Sequence, residues 1–320
     1  MDEHSSMTKS EFKQIFKNTI LSEGFSSIIE SEALVSPHFP DVFNLSAGHQ
    51  FVLPTLHSPT RVPVSSQAII QWCIRKDDIS RVGYTKHHLS SFEMAVFGDF
   101  GYVTNKEQTQ VKLLGIFLQI MDKCGIDKRQ LYFSISDGAQ ILDTYLPFDQ
   151  TSYWALQTLG IKETHIIRTK GRQNFVFSNG QDRASGYNIE IFYMLNGTLL
   201  EIASSNIYEY VVSGEHLLKK ENIGIGVGIG IERLLMIVNN YKSIYQTLDI
   251  NIERYSQVLG GDLQAELAKS KIYRIEDLSR TVRLIENLVF AQDVPVNYKQ
   301  MKEYKFIKAH LLSERNYIEI

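Results

Sequence analysis

Residues 223–237 read IGIGVGIGIERLLMI, a run in which four glycines alternate with aliphatic residues. Alternate residues of a β-strand face opposite sides of the sheet, so a strand here would have one aliphatic face and one face of bare backbone. Glycine weakens a strand, and its repeated use indicates that a ligand or another backbone approaches closely. A flat ring or a ribose could lie on that face. Close packing of a helix against the strand is the alternative interpretation.

The residues that follow the last glycine favour a ligand, rather than a packed helix, on the bare face of the strand. Glu232 and Arg233 open a helical segment, and a guanidinium group beside a bare strand is well placed to bind phosphate. The run does not fit the dinucleotide pattern G-x-G-x-x-G, because position 229 is Ile, and it lacks the GK[ST] of a P-loop. We therefore expect Arg233 to bind phosphate without either of these common nucleotide loops.

A second segment, residues 73–102, reads CIRKDDISRVGYTKHHLSSFEMAVFGDFGY. Arg75 ends an apolar strand and precedes a polar loop, and its planar guanidinium can donate two hydrogen bonds to one phosphate. In the next predicted strand, Phe92 could stack on adenine. Glu93 could then accept a hydrogen bond from the exocyclic amine of adenine. The competing interpretation places Phe92 and Met94 in the hydrophobic core.

The distribution of patterns along the chain predicts an α+β fold. A capping box at Thr8 and Glu11 predicts an opening helix. Residues 187–195 alternate in polarity, and Asn196-Gly197 predicts a hairpin that leads into a returning strand. Hairpin connections give a mainly antiparallel sheet. The pattern becomes helical after Ile237, so we predict a catalytic domain over residues 1–240 and a helical domain over residues 241–320.

Composition limits the classes of function. The 320-residue chain has a net charge of −3 at pH 7, so an RNA contact would need a local basic patch. Its two cysteines, Cys73 and Cys124, lie far apart in sequence and argue against a disulfide framework or a cysteine-bound zinc ion. No long apolar run and no basic, apolar leader occurs. These observations predict a soluble, cytoplasmic protein with no membrane partner.

Several segments, in this order, resemble the alanyl-tRNA synthetases of class II. Residues 82–94, VGYTKHHLSSFEM, are similar to their motif 2, and residues 228–237, GIGIERLLMI, are similar to motif 3. Residues 23–48 resemble the motif 1 region. The segment RASGYNIEIFY at residues 183–193 resembles a glycine-rich turn of the family, and residues 273–297 resemble the start of its helical tRNA-recognition domain.

The resemblance implies a class II synthetase-type antiparallel sheet flanked by helices, followed by a small helical C-terminal domain. It also implies ATP and Mg²⁺ as cofactors. Arg75 would contact the α-phosphate and Arg233 the outer phosphates, both as catalytic residues, while Phe92 and Arg233 would enclose adenine. The implied ATP-binding residues are Arg75, Phe92, Met94, Glu201, Gly228, Gly230 and Arg233, with Glu201 near the metal. The implied substrate-binding residues are Val176, Ser204 and Gly226.

The sequence departs from the family at three places. The loop after Arg75 is shorter than is usual in the family. Gly226 stands where the family has an aspartate that holds the α-ammonium group of the substrate, and Val176 stands where it has a tryptophan. Losing a charge-assisted hydrogen bond costs roughly 1.5–3 kcal/mol. Either the substrate is larger than alanine, or its amine is held elsewhere.

Three functions are consistent with these features. The first is a stand-alone ligase that activates an amino acid as an aminoacyl-adenylate and transfers it to an acceptor other than tRNA, such as a carrier protein or a small metabolite. The second is a minimal synthetase that charges tRNA, with Lys299, Lys302, Lys305 and Lys308 on one helical face meeting the acceptor stem. The third is a non-catalytic paralogue with a regulatory or RNA-binding role. The resemblance also favours a homodimer.

Overall fold

A computed structural model describes residues 6–31, 33–36, 41–177, 184–248, 250, 255 and 262–316, with side chains described except at 49–51 and 262–266. Ten strands of this part form one sheet. They are β1 (Ile28–Ser31), β2 (Ser65–Ile74), β3 (Ser91–Gly101), β4 (Leu131–Ile141), β5 (Thr144–Phe148), β6 (Ile166–Thr169), β7 (Phe175–Phe177), β8 (Ala184–Leu195), β9 (Thr198–Ser213) and β10 (His216–Gly230). The helices are α1 (Lys9–Ser22), α2 (His49–Leu56), α3 (Lys106–Lys123), α4 (Gln150–Thr158), α5 (Ile231–Val238), α6 (Asp262–Ile285) and α7 (Tyr298–Asn316).

The strand order of the sheet is β1-β2-β3-β10-β9-β8-β4-β5, with β6 beside β4 and β7 beside β8. Most neighbours are antiparallel, as predicted, and the α+β class is confirmed. The pairs β1–β2 and β4–β6 are parallel, so the sheet is mixed. A parallel pair needs a long crossover connection rather than a hairpin. Helix α2 lies in the first connection, and β5 and α4 lie in the second.

Local signals set several element boundaries. Thr8 caps α1 through a reciprocal box in which the Thr8 amide donates to the Glu11 carboxylate at 2.7 Å. Asn196 and Gly197, with φ of 49° and 79°, form the predicted turn between β8 and β9. Thr104 and Glu107 match the pattern of a capping box, but Asn105 is the N-cap of α3, and its side chain accepts from the Gln108 amide at 3.0 Å.

The main hydrophobic core lies on one face of the sheet, under α1, α3 and α5. Ile225, Val227 and Ile229 of β10 are fully buried in it, together with Phe16 of α1 and Phe117 of α3. The glycines of β10 alternate with these aliphatic residues and therefore face the other side of the sheet. This alternation leaves the second face of the central strands free of large side chains from β10.

The C-terminal helices pack against the region that precedes β3. The helical pattern predicted for this part of the chain is confirmed by α6, which continues into a π-helical turn at Glu286–Phe290, and by α7, with Pro295 between them. Asp277 of α6 accepts hydrogen bonds from the Ser90 amide at 2.8 Å and from the Ser90 hydroxyl at 2.5 Å. A second core joins the helices to residues 34–79 through Leu34, Phe43, Ile74, Ile79, Ile275, Leu278, Ile285 and Ile307. The predicted boundary near Asn240 remains a prediction.

Candidate active site

A cavity of about 500 Å³ opens on the glycine-bearing face of the sheet. Nine of the ten predicted site residues line it: Arg75, Phe92, Met94, Val176, Glu201, Ser204, Gly228, Gly230 and Arg233. Gly226, the tenth, lines a smaller adjoining cavity of about 50 Å³ that also contacts Met94, Ser204 and Gly228. The volume of the larger cavity is that of a typical small-molecule site. Residues from β3, β7, β9, β10 and α5, with Arg75 just after β2, therefore meet at one place.

Arg75 directly follows β2, and its amide donates to the carbonyl of Ser90 at 2.9 Å. Its guanidinium carbon lies 5.1 Å from the centroid of the Phe92 ring, which gives a cation–π contact. Phe92 and Met94 are half-buried and face the cavity. They lie in the site rather than deep in the hydrophobic core, so the cavity contains an arginine and an aromatic ring in contact.

Glu93 faces the opposite side of β3 from Phe92. Its carboxylate forms ion pairs with Lys13 of α1 at 2.7 Å and with Lys9 of the same helix at 3.0 Å. Burial alone would raise the pKa of Glu93, but these two lysines lower it below its usual value. The predicted contact between Glu93 and adenine is therefore wrong, because alternation along the strand turns its side chain away from the cavity.

Arg233 lies in the first turn of α5 and connects two other segments of the chain. Its Nη1 donates to the backbone oxygen of Glu201 at 3.0 Å and to Glu201 Oε2 at 3.2 Å. Its Nε donates to the carbonyl of His87 at 3.3 Å. Burial, together with the Arg233 charge, lowers the pKa of His87, so that imidazole is neutral at pH 7. The positive charge at this end of the cavity therefore comes from arginine.

The glycines of β10 serve two purposes at different positions. A Cβ on Gly224 would lie 2.7 Å from Phe100 Cδ1 and 2.9 Å from Leu56 Cδ2, so close packing with α2 explains this glycine. Gly228 and Gly230 instead line the large cavity. The run therefore combines close packing at Gly224 with an open face at the glycines nearer Arg233, where binding of a ligand stays a prediction.

A buried network of charges supports the site from the other face of the sheet. Glu232 is almost fully buried, and its carboxylate accepts from Lys9 Nζ at 2.7 Å and from the Glu93 amide at 3.0 Å. Arg280 of α6 lies 4.0 Å from the same carboxylate. Burial opposes the charge on Lys9, but Glu232 and Glu93 more than offset it and raise the Lys9 pKa. This network fixes the residue that precedes Arg233.

One carboxylate in the cavity fits a magnesium ion. Glu201 lines it with a side chain that is 45% exposed. Mg²⁺ in nucleotide sites takes one or two carboxylates and completes its shell with phosphates and water. Over the described ranges, no group of three or more His, Cys, Asp and Glu side chains is arranged to hold a metal ion by itself. The donor set therefore suits a metal that arrives with phosphate oxygens.

Two further polar residues line the cavity and were missed from the sequence. Asn188 of β8 and Asn206 of β9 are cross-strand partners, and both reach the large cavity. Alternation from Ser204 places Asn206 on the same strand face, but only the strand register brings Asn188 beside it. In the part of the chain that the structure describes, no helix is long and apolar enough to span a membrane.

Residues 22–286 match the family described as tRNA synthetases class II (A). The chain belongs to this family. The match covers motifs 1, 2 and 3 and the start of the helical region, and it includes every residue of the predicted site. The class II synthetase type of the sheet, predicted from the resemblance, is confirmed with it.

Curated relatives of this class II synthetase chain are alanine–tRNA ligases. That of Leptospira biflexa serovar Patoc is 27% identical over 300 residues, which cover 86% of this chain and 31% of the relative. That of Buchnera aphidicola subsp. Cinara cedri is 23% identical over 314 residues, covering 89% of this chain and 34% of the relative. The chain thus spans about a third of the length of these relatives. A solved pyrrolysyl tRNA synthetase from Desulfitobacterium hafniense aligns with a TM-score of 0.39 and 15% identity, covering 74% of this chain and 71% of that one.

Proposed function

We propose that the cavity binds ATP and an α-amino acid and joins them as an aminoacyl-adenylate. The observation that carries this proposal is the convergence of Arg75 and Arg233 on one cavity beside the open glycines of β10. Two guanidinium groups at one site suit a polyphosphate, since each can donate two hydrogen bonds to phosphate oxygens. The ring of Phe92 offers a surface for adenine.

The reaction needs charge neutralisation and positioning rather than proton transfer. An oxygen of the amino-acid carboxylate attacks the α-phosphorus, and the bond from that phosphorus to the bridging oxygen breaks. The electron pair leaves with pyrophosphate. The carboxylate is already ionised at pH 7, so no general base is required. Arg75 neutralises charge at the α-phosphate and Arg233 at the leaving group, and each is worth roughly 3 kcal/mol. Mg²⁺ bound at Glu201 would supply further neutralisation of phosphate charge.

For the acceptor we propose a molecule other than tRNA, such as a carrier protein or a small metabolite. Support comes from α7, where Lys299 pairs with Asp41 at 2.6 Å and Lys308 pairs with Glu286 at 3.0 Å. These pairs neutralise half of the lysine face that would meet an acceptor stem. The competing proposal, charging of tRNA, is favoured by the names of the curated relatives, which are alanine–tRNA ligases.

Exchange of labelled pyrophosphate into ATP, tested with each proteinogenic amino acid, measures the first step without any acceptor. We expect exchange with one amino acid or a small group of them. Replacing Arg75 or Arg233 by alanine should lower the exchange rate by at least about 100-fold. The matched control is Arg61→Ala, because Arg61 is exposed, contacts Glu221 and the Tyr102 ring, and does not line the cavity. Exchange that survives both active-site substitutions would contradict the proposal.

The acceptor is then tested with the activated amino acid in place. Stable attachment of the labelled amino acid to bulk tRNA would favour the synthetase alternative. Label on a carrier protein or a small amine, with none on tRNA, is the expected result. ATP binding without exchange for any amino acid would instead support a non-catalytic role.

A further inference from the structure

One side of α7 is exposed from the first turn of the helix to the last and carries both lysines and large apolar side chains. Residues three or four apart lie on the same side of an α-helix. The exposed residues that follow this spacing, called here the outer face of α7, are Tyr298, Lys302, Lys305, Phe306, Ala309 and Leu312. Tyr298 is 80% exposed, Phe306 46% and Leu312 51%. Apolar side chains in such a row are typical of a surface that packs against another helix.

The outer face is positively charged. Lys302 and Lys305 have no ion-pair or hydrogen-bond partner within the described part of the chain. Both carboxylates of α7 lie on its inner side: Glu303 is buried, and Glu314 pairs with Arg274 of α6 at 2.6 Å. Two positive charges therefore lie among apolar side chains, and no carboxylate of the same helix offsets them.

Among the possible occupants of the outer face, an acidic protein helix fits best. Lys305 lies at the centre of the row, so antiparallel pairing of two copies of this chain would bring their Lys305 side chains together. Parallel pairing would also bring the Lys302 side chains together. Like charges placed opposite each other are destabilising. RNA would leave Ala309 and Leu312 unused, since neither offers a charge, a polar group or a stacking ring. An acidic amphipathic helix matches both the lysines and the apolar residues.

Helix α7 is anchored beside residues that line the large cavity. On its buried side, Glu303 accepts from the Phe43 amide at 3.2 Å, and Leu45 and Ser46, which follow closely in the chain, line the cavity. Burial raises the pKa of Glu303, and the charge of Asp77, which also lines the cavity, raises it further. A protein bound to α7 would therefore be held close to the candidate site.

We propose that the outer face of α7 binds an acidic amphipathic helix of the protein that accepts the activated amino acid. Apolar side chains of that helix pack against Phe306 and Leu312, and its carboxylates pair with Lys302 and Lys305. This inference rests on the proposed function for the role of the partner, whereas binding to the outer face is measured without any catalysis.

The docking serves the transfer step. A thiol or amine of the bound partner attacks the carbonyl carbon of the aminoacyl-adenylate, and the bond from that carbon to the phosphate oxygen breaks. The electron pair leaves with AMP, and the proton of the nucleophile passes to solvent.

Binding is tested with two synthetic helical peptides that share the same leucine positions. One has glutamate and the other lysine at the remaining charged positions, and fluorescence anisotropy measures their affinity at about 0.15 M ionic strength. We expect the full chain to bind the acidic peptide at least about tenfold more tightly than the basic one. The double variant Lys302→Glu, Lys305→Glu should reverse this preference. The double variant Phe306→Ser, Leu312→Ser should weaken binding of the acidic peptide by at least about tenfold.

The matched controls lie elsewhere on the surface. Leu218 of β10 is 50% exposed, as Leu312 is, and Lys162 is an exposed lysine outside α7. Leu218→Ser and Lys162→Glu should each bind the acidic peptide as the wild type does. Because all the substituted side chains are exposed, thermal melts should show every variant folded, so a loss of binding reports the surface itself.

Three results would overturn the docking surface. The first is equal binding of both peptides by the wild type, or a preference for the acidic peptide that survives the lysine reversal. The second is tighter binding of bulk tRNA than of the acidic peptide, lost in the lysine variant, which would assign the face to RNA. The third is a wild-type dimer in sedimentation that Phe306→Ser dissociates, which would assign it to a second copy.

The link to the acceptor has its own readout. In an extract of the cells that encode this chain, labelled amino acid should become attached to a protein, and an excess of the acidic peptide should reduce this labelling while the basic peptide does not. Labelling that the acidic peptide leaves unchanged would separate the docking surface from the acceptor and overturn the inference. If the peptides behave as expected but no amino acid supports pyrophosphate exchange, the proposed function fails and the docking surface stands.

Discussion

The guanidinium of Arg75 lies over the ring of Phe92, with 5.1 Å between the guanidinium carbon and the ring centroid. The two groups proposed to bind the α-phosphate and the adenine of ATP are thus in contact with each other. A cation–π contact of this kind is worth about 0.5–2 kcal/mol, and stacking of a base on an aromatic ring is worth about 1–3 kcal/mol. Binding of ATP would exchange the first contact for the second and release Arg75 towards phosphate.

Phe92→Leu tests this exchange. It removes the ring that contacts Arg75 and would stack on adenine, so we expect KM for ATP to rise by about 5- to 150-fold, corresponding to about 1–3 kcal/mol of lost stacking. Phe92→Tyr keeps the ring and should stay within about threefold of the wild type. Pyrophosphate exchange at varied ATP concentration measures both. Equal KM values for the leucine and tyrosine variants would show that adenine does not stack on this residue.

The pair of Arg233 and Glu201 allows a test of the metal. Glu201→Gln weakens the 3.2 Å contact with Arg233 Nη1 and removes the carboxylate proposed to bind Mg²⁺. We expect the Mg²⁺ concentration for half-maximal exchange to rise, with activity partly restored when the metal is in excess. Arg233→Ala should lose about 100-fold or more in rate without rescue by the metal. A Glu201→Gln variant with an unchanged Mg²⁺ requirement would remove this residue from the metal site.

Two glycines in the centre of the sheet should respond differently to alanine. A Cβ on Gly98 would lie 2.3 Å from the carbonyl oxygen of Ile225, which is backbone, so Gly98→Ala should fail to fold or melt far below the wild type. A Cβ on Gly228 would lie 3.1 Å from the terminal methyl of Met94, which can move. We expect Gly228→Ala to fold and to raise KM for ATP by about tenfold, through 1–3 kcal/mol of crowding. Thermal melts with exchange kinetics distinguish the two.

Glu303 of α7 should make stability depend on pH. It is almost fully buried, and its Oε2 accepts from the Phe43 amide at 3.2 Å. Burial raises its pKa from 4.5 to about 7, in spite of that hydrogen bond. Because the folded state favours the protonated form, its contribution to stability is complete below about pH 4.5 and is lost as the pH rises through about 7. Glu303→Gln should therefore gain stability over the wild type between pH 5 and 8, by up to about 3 kcal/mol.

Glu286 provides a control of opposite sign on the adjoining helical turn. Hydrogen bonds from Tyr304 and Lys308 lower its pKa, so its contribution is present near neutral pH and is lost as the pH falls through the lowered value. Glu286→Gln should thus be less stable than the wild type at pH 7, and the difference should shrink in acid. Chemical denaturation at several pH values measures both variants. If the free energy of unfolding changed with pH in the same way for Glu303→Gln and the wild type, the buried carboxyl of Glu303 would not be the cause of the pH dependence.

Most residues of the candidate site could be predicted from the sequence, because short local patterns indicate them. The alternating glycines, the Glu232-Arg233 pair and the Arg75–Phe92 segment are each local, and nine of the ten predicted residues line one cavity. The turn at Asn196-Gly197 was predictable for the same reason, since its positive φ angles are a property of the dipeptide itself.

The errors arise where long-range placement decides. Whether Phe92 or Glu93 faces the cavity depends on how β3 is oriented in the sheet, and two lysines of the distant helix α1 pair with Glu93. The sequence does not show that Asn188 and Asn206 lie side by side at the cavity, because this placement depends on the register between β8 and β9. The parallel pairing of β1 with β2 likewise depends on the path of the chain through α2, which no local pattern specifies.

The attachment of α6 has a practical consequence for anyone dissecting the chain. Asp277 holds the backbone of Ser90 just before β3, and Arg280 reaches the carboxylate beside Arg233. A fragment that ends at Asn240 would expose Phe43 and Ile74, which the terminal helices now cover, as an apolar surface patch. It would also lose the hydrogen bonds that hold the start of β3, the strand that carries Phe92. Such a fragment would be prone to aggregation. The terminal helices are therefore part of the structure that supports the candidate site, not an independent appendage.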